Sequence, residues 1–157
     1  MKVIATSKGI GGQLKEFRKL VQGSKRITFI GTAGFCTPFA ELMAFALRES
    51  EKELFFLPSL NKDAACEIIS SPLGMKMGYL ADPCADTIVL LGGLAIPGMG
   101  LEPDKVKGLV DDLLHDASES LVIGVCFQSI FTDQKWHEII DFDFIIDADL
   151  TNEVKKM

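Results

Sequence analysis

Residues 27–38 read Ile27-Thr-Phe-Ile-Gly31-Thr32-Ala-Gly34-Phe-Cys36-Thr37-Pro38, an apolar run that stops at glycine and resumes at proline. Ile27 to Ile30 has the β-branched and aromatic content of a buried strand. Thr37 offers a side-chain N-cap and Pro38 suits a first helical turn, so the spacing predicts a helix running to about Ser50. Phe39, Leu42, Met43, Phe45, Ala46 and Leu47 make that helix apolar over most of its surface, which predicts deep burial. A strand feeding a buried helix through a glycine loop is the building unit of a parallel α/β sheet.

The same unit recurs along the chain. Leu54 to Leu57 reads as a second strand stopped by Pro58, and Asp86 to Leu91 as a third, followed by the glycine-rich loop Gly92 to Gly100. A helix starting at Pro103 carries Val106, Leu109, Val110, Leu113 and Leu114 as one stripe. Leu121 to Val125 is the fourth strand, with a helix from about Asp133 to Ile140 after it. In Asp141 to Asp149 carboxylates alternate with Phe142, Phe144, Ile146 and Ala148, the pattern of an edge strand whose charges discourage aggregation. Leu14, Phe17, Leu20 and Val21 predict an N-terminal helix over about 12–22, with a short strand at Lys2 to Thr6 before it. Lys62 to Ser70 reads as a short helix stopped by Pro72, and Leu73 to Leu80 as either a packed connection or a mobile cover. Together these predict one α/β domain over 1–157, a three-layer, Rossmann-like (flavodoxin-like) arrangement. Its sheet is mainly parallel and five-stranded, with order 2-1-3-4-5 and right-handed crossovers.

Composition narrows the function classes. Of 157 residues, 48% are hydrophobic and 24% charged, which describes a packed globule and not a disordered chain. A net charge of -6 without a basic cluster argues against nucleic-acid binding. No apolar stretch reaches the roughly 20 residues of a membrane span, and the N-terminus lacks the apolar core of a signal peptide. The expected setting is the cytoplasm, with Cys36, Cys66, Cys84 and Cys126 as reduced thiols.

In a parallel sheet the carboxyl ends of the strands share one edge, and ligands bind there at the point where strand order reverses. That edge gathers Gly31, Thr32, Gly34, Cys36 and Thr37 from the first loop, Gly92 and Gly93 from the third, and Gln128 after the fourth strand. Backbone N–H groups at a helix start suit phosphate or carboxylate, so an anionic small molecule, such as a nucleotide or phosphorylated cofactor, is the expected guest between the Gly31 and Gly92 loops. A tight turn that needs glycine for packing alone is the competing reading. Lys8-Gly-Ile-Gly-Gly12 half matches a phosphate loop and reads equally as a flexible turn. Cys36 just before the helix would gain thiolate character from the dipole, or else fill space beside Phe39. A metal held by Cys36, Cys84 and Cys126, or by Asp147 and Asp149, is the minor alternative to no metal.

Two resemblances accompany this reading. Asp86-Thr-Ile-Val-Leu-Leu-Gly-Gly93 followed by Val122-Ile-Gly-Val-Cys-Phe-Gln128 resembles the class I glutamine amidotransferase and PfpI-like group. The resemblance implies Cys126 as nucleophile and Gly92 and Gly93 near an oxyanion site, hence a Cys126-dependent hydrolase or amidotransferase-like activity. Gln128 stands where that group has a second glycine, and the only histidines are His115 and His137. Over nearly its whole length, through Ile27 to Ala40 and Leu90 to Gly93, the chain is also similar to a family of small uncharacterised proteins from methanogenic archaea, a domain of unknown function. That likeness implies a strongly reducing cytoplasm and names no activity or cofactor. A third expectation is a structural or interaction protein that forms a homodimer through an apolar face.

Overall fold

The computed structural model describes residues 1–157. Seven strands, β1 (Arg26–Gly31), β2 (Glu53–Pro58), β3 (Cys66–Ser71), β4 (Gly74–Leu80), β5 (Thr87–Leu91), β6 (Leu121–Phe127) and β7 (Phe144–Ala148), form one sheet in the order β4-β3-β2-β1-β5-β6-β7. Strands β2, β1, β5, β6 and β7 pair in parallel, in the order expected for the five sequence-predicted strands. The expected count of five is corrected to seven, because an antiparallel hairpin, β3 and β4, extends the sheet beyond β2. The sequence pattern predicts a short helix over Lys62 to Ser70 and a connection or cover over Leu73 to Leu80 in place of these strands. Ile68 and Ile69 supply β-branched bulk for a strand, and Ser71 bridges the turn, accepting from the Leu73 N–H and donating to the Gly74 carbonyl.

Side chains alternate across the central strands, as a two-residue repeat requires. Ile27, Phe29, Val89, Leu91, Ile123 and Val125 point to one face, under α1 (Gly9–Leu20) and α2 (Thr37–Ala46). Ile30, Ile88, Leu90, Val122 and Cys126 point to the other, under α3 (Pro103–Leu114) and the segment that follows β6. All five residues of β5 are buried, so this strand is apolar on both sides from Ile88 to Leu91, and the buried Thr87 hydroxyl is met by Ser24 and Asp86. Phe17 of α1, with its ring centroid 5.9 Å from that of Phe29, docks the first helix on the sheet. Burial of one such ring stabilises the fold by roughly 1.5–3 kcal/mol.

Other boundaries move. Helix α1 begins at Gly9 and ends at Leu20, and no strand forms at Lys2 to Thr6. The helix expected over 133–140 is instead a single turn, α4 (Ile130–Asp133), followed by a 3-10 turn at Trp136–Glu138. Trp136 and Phe131 pack there with ring centroids 5.7 Å apart, so the segment is held by aromatic burial and not by helix length. No helix is long and apolar enough to cross a membrane.

At the amino end of the sheet, polar groups are committed to structure. Asp86 accepts the N–H groups of Lys25 and Arg26 at 2.9 and 3.0 Å. Arg26 in turn donates to the carbonyls of Cys84 and Asp82, pairs with Glu53 and lies 4.4 Å above the Phe55 ring. A polar hollow of about 320 Å³ opens among them, beside Ser24, Lys25, Asp86 and Thr87, and an apolar cleft opens at the carboxyl end.

Candidate functional site

Three strand ends build the site. After β1 the chain turns through Gly34, whose φ of +79° is a conformation glycine adopts without strain. Cys36 is the N-cap of α2, one residue before the Thr37 that the sequence predicts. The Thr37 hydroxyl instead accepts the Gly34 N–H at 3.1 Å, which closes the loop on itself. After β5 a 3-10 turn, Gly92–Ala95, carries the chain under that loop, and the Thr32 hydroxyl donates to the Gly93 carbonyl at 3.4 Å. The two glycine loops therefore touch one another.

Their contact explains the glycines. A β-carbon on Gly93 or Gly31 would collide with the side chain of Cys36, and one on Gly92 would lie 2.7 Å from the Cys126 β-carbon. Glycine at these positions admits a cysteine of the same chain.

The third strand end is strained. Gln128 and Ser129, with φ of 55° and 58°, are two successive non-glycine residues in the left-handed region. Each such residue costs on the order of 1–2 kcal/mol, so neighbouring groups must hold the turn. Asp147 does so from β7: it accepts the Ser129 N–H at 2.9 Å, the Ser129 hydroxyl at 2.8 Å and the Cys126 thiol at 3.3 Å. Gln128 reaches Asp149 at 2.8 Å through its amide nitrogen.

Cys126 does not ride on this turn. It lies within β6, in register with Asp147, and is buried on the α3 face. Burial first, and then the adjacent Asp147 carboxylate, push its thiol up to about 12. Burial likewise raises Cys36, against the opposing pull of hydrogen bonds from the backbone at Thr32 and Gly93. Neither histidine serves a thiol: His115 contacts the Asp112 carbonyl and His137 the Phe131 carbonyl. Both thiols are protonated near neutral pH, and a protonated thiol is a poor nucleophile. Cys84 stands at the amino end beside Arg26, so Cys36, Cys84 and Cys126 do not share an edge.

The space at the carboxyl end is a cleft of about 280 Å³ between α1, α2 and the ends of β5 and β6. Of its 15 lining residues 11 are hydrophobic, and none is lysine, arginine or histidine. Of the residues that the sequence offers as candidates, Cys36, Gly92, Gly93 and Gln128 line this cleft. Gly31, Thr32, Gly34 and Thr37 lie outside the lining, with Gly31 packed against Cys36. The sequence reading missed Gln13 and Leu14 of α1, Phe35, Phe39, Leu42 and Met43 around α2, and Ile96. Only the docking of α1 beside α2 brings the first pair to this edge.

Comparison with known proteins places the chain among relatives. A family model described as "Uncharacterized protein conserved in archaea (DUF2124)" matches residues 8–151. An uncharacterized protein of Methanothermobacter thermautotrophicus is 36% identical over 154 residues, covering 98% of either chain. One from Methanocaldococcus jannaschii is 39% identical over 151 residues, 94% of this chain and 90% of the relative. A crystal structure of a protein of unknown function from Methanothermobacter thermautotrophicus superimposes with a TM-score of 0.91 at 34% identity, covering 100% of this chain and 99% of that one. With its matched residues spanning nearly the whole chain and two methanogen relatives above one-third identity, this protein belongs to the DUF2124 family of uncharacterized archaeal proteins.

Proposed function

We propose that this protein binds a small molecule in the cleft at the carboxyl edge of the sheet, and that the molecule's buried part is uncharged. The observation that carries this reading is the cleft's lining: three phenylalanines, with leucine, isoleucine, valine and methionine, and no cationic side chain. An anion entering such a surface would lose its hydration without gaining a countercharge. An apolar or aromatic body gains by leaving water there. This replaces the phosphate-like guest expected from the glycine loops, whose contact with one another leaves the opening on the α2 side. The layering of α1 and α2 on one face with α3 and α4 on the other supports the Rossmann-like reading, in which such an edge is the usual binding position. The four free cysteines suit a reducing cytoplasm.

A thermal-shift comparison tests the reading. Uncharged bicyclic aromatics should raise the melting temperature, a ligand at about 100 times its dissociation constant adding roughly 2.7 kcal/mol. Mononucleotides and inorganic phosphate should leave it unchanged. Stabilisation by the phosphates alone would reverse the assignment.

A homodimer has its own observation. The edge strand β4 leaves Tyr79 and Leu80 exposed, with Leu73 at the hairpin tip, and Lys76 is its sole charge. Antiparallel pairing of two such edges would cover them. Mass measured in solution decides it: a monomer at micromolar concentration removes this reading.

A further inference from the structure

Resting on the cleft reading above, we propose that Gln128 is its recognition residue and that the ligand is a flat, uncharged aromatic ring system carrying a ring N–H. Gln128 lies exposed in the lining, immediately after Phe127 at the end of β6. Its side-chain amide is held in one orientation, the nitrogen donating to the Asp149 carboxylate at 2.8 Å and to the Leu150 carbonyl at 3.4 Å. Both amide hydrogens are thereby spent, and the backbone N–H is spent on the Ala148 carbonyl at 3.0 Å. The side-chain carbonyl oxygen is left as an acceptor without a partner in the protein, fixed by the bonds its own nitrogen makes. Gln128 keeps this side chain at a φ of 55°, a conformation that glycine would hold without strain. Backbone strain of this kind concentrates at ligand sites.

The rest of the lining decides what that oxygen meets. It contains no lysine, arginine or histidine, and the other side-chain amide, that of Gln13, has its nitrogen fully buried away from the opening. No side-chain N–H of the lining is therefore free, so a guest gains by supplying the donor and loses by bringing a further acceptor. An ammonium donor would lose its hydration against the apolar walls, which leaves a neutral N–H. The rings of Phe39 and Phe127, with centroids 5.1 Å apart, form a wall that favours a flat aromatic body. An aromatic N–H lies in its ring plane, so a ring seated along that wall meets a carbonyl oxygen at the rim edge-on.

Indole and benzofuran, bicycles of one outline that differ by a ring N–H against a ring oxygen, test this on the full chain by calorimetric titration. The wild type should bind indole about fivefold more tightly, equivalent to about 1 kcal/mol and within the range of one hydrogen bond. In Gln128→Gly, a change that suits the left-handed backbone, the preference should be lost while benzofuran still binds. Equal affinities in the wild type, tighter binding of benzofuran, or a preference for indole that survives in Gln128→Gly overturns the role of Gln128 and leaves the cleft reading standing. Binding of neither bicycle by the wild type overturns both. The side-chain carbonyl carbon of Gln128 in the wild type supplies a measurement that does not depend on the variant. Its resonance should move downfield with indole and stay in place with benzofuran, and equal or absent movement contradicts the proposal.

Discussion

The thiol of Cys36 lies in the space that a β-carbon on Gly93 would need. Neither Gly93 nor Gly31, the other glycine against Cys36, has a left-handed φ, so close approach and not backbone freedom requires glycine at both. Cys36 locks the end of β1 to the turn after β5 and forms part of the floor of the cleft.

Gly93→Ala should therefore destabilise the fold by about 1–3 kcal/mol through overpacking. In a Cys36→Ala background the same change should cost less, giving a coupling of at least about 0.5 kcal/mol in a urea-unfolding cycle. Strict additivity of the two changes would show that the contact is not the cause.

All four thiols are raised above their ordinary value, burial being the largest cause in each. At pH 7 iodoacetamide should modify each more slowly than it modifies free cysteine, with Cys126 unreactive until the protein unfolds. The linkage has a definite sign. A thiol that ionises near 9 when unfolded and near 12 when folded adds stability in full below pH 9. That contribution declines between those limits by about 1.4 kcal/mol per pH unit. Denaturant titrations at pH 8 and 10.5 should show this loss, and Cys126→Ala should reduce it. An equal loss in that variant would assign the alkaline sensitivity elsewhere.

Asp147 connects β7 to the strained turn by receiving three donors. Removing it as Asp147→Ala frees two successive left-handed residues, and should cost about 2–3 kcal/mol as lost charge-assisted hydrogen bonds. It also removes a negative charge beside Cys126, which lowers the ionisation of the folded thiol, so the alkaline loss should still begin near pH 9 but end at a lower pH and be smaller in total. Stability within about 0.5 kcal/mol of wild type would mean that the turn holds itself.

Arg26→Lys keeps the charge but loses the planar fork that reaches two carbonyls and stacks on Phe55. A loss of about 1–2 kcal/mol is expected. Ligand affinity should be unchanged, because Arg26 begins the strand whose other end forms the site. A fall in the affinity for an uncharged bicyclic aromatic would link the two edges.

The parallel strands are legible because β1, β5 and β6 are buried on both faces, and a strand so placed is apolar at nearly every position, Thr28 and Thr87 being the buried polar exceptions. The hairpin is not. Residues of β3 and β4 are half-exposed at the sheet's edge, where glycine, lysine and methionine are tolerated and the two-residue period fades. The strained turn was only half visible: Gln128 stands where the amidotransferase resemblance expects glycine, yet its φ is left-handed all the same, held by Asp147 and Asp149 from another strand. Of the site, Cys36, Gly92, Gly93 and Gln128 follow from position alone, since strand ends must meet at one edge.

By itself, then, the sequence determined the parallel core and the edge where a site would form, because burial constrains residue type locally. Tertiary structure alone decided the site's character. Whether a glycine faces a ligand or a cysteine, and whether a glutamine on an amphipathic helix faces water or an apolar cleft, depends on contacts between segments far apart in the chain. Cys36 closes the glycine edge, and Gln13 is buried among the apolar residues of the cleft lining.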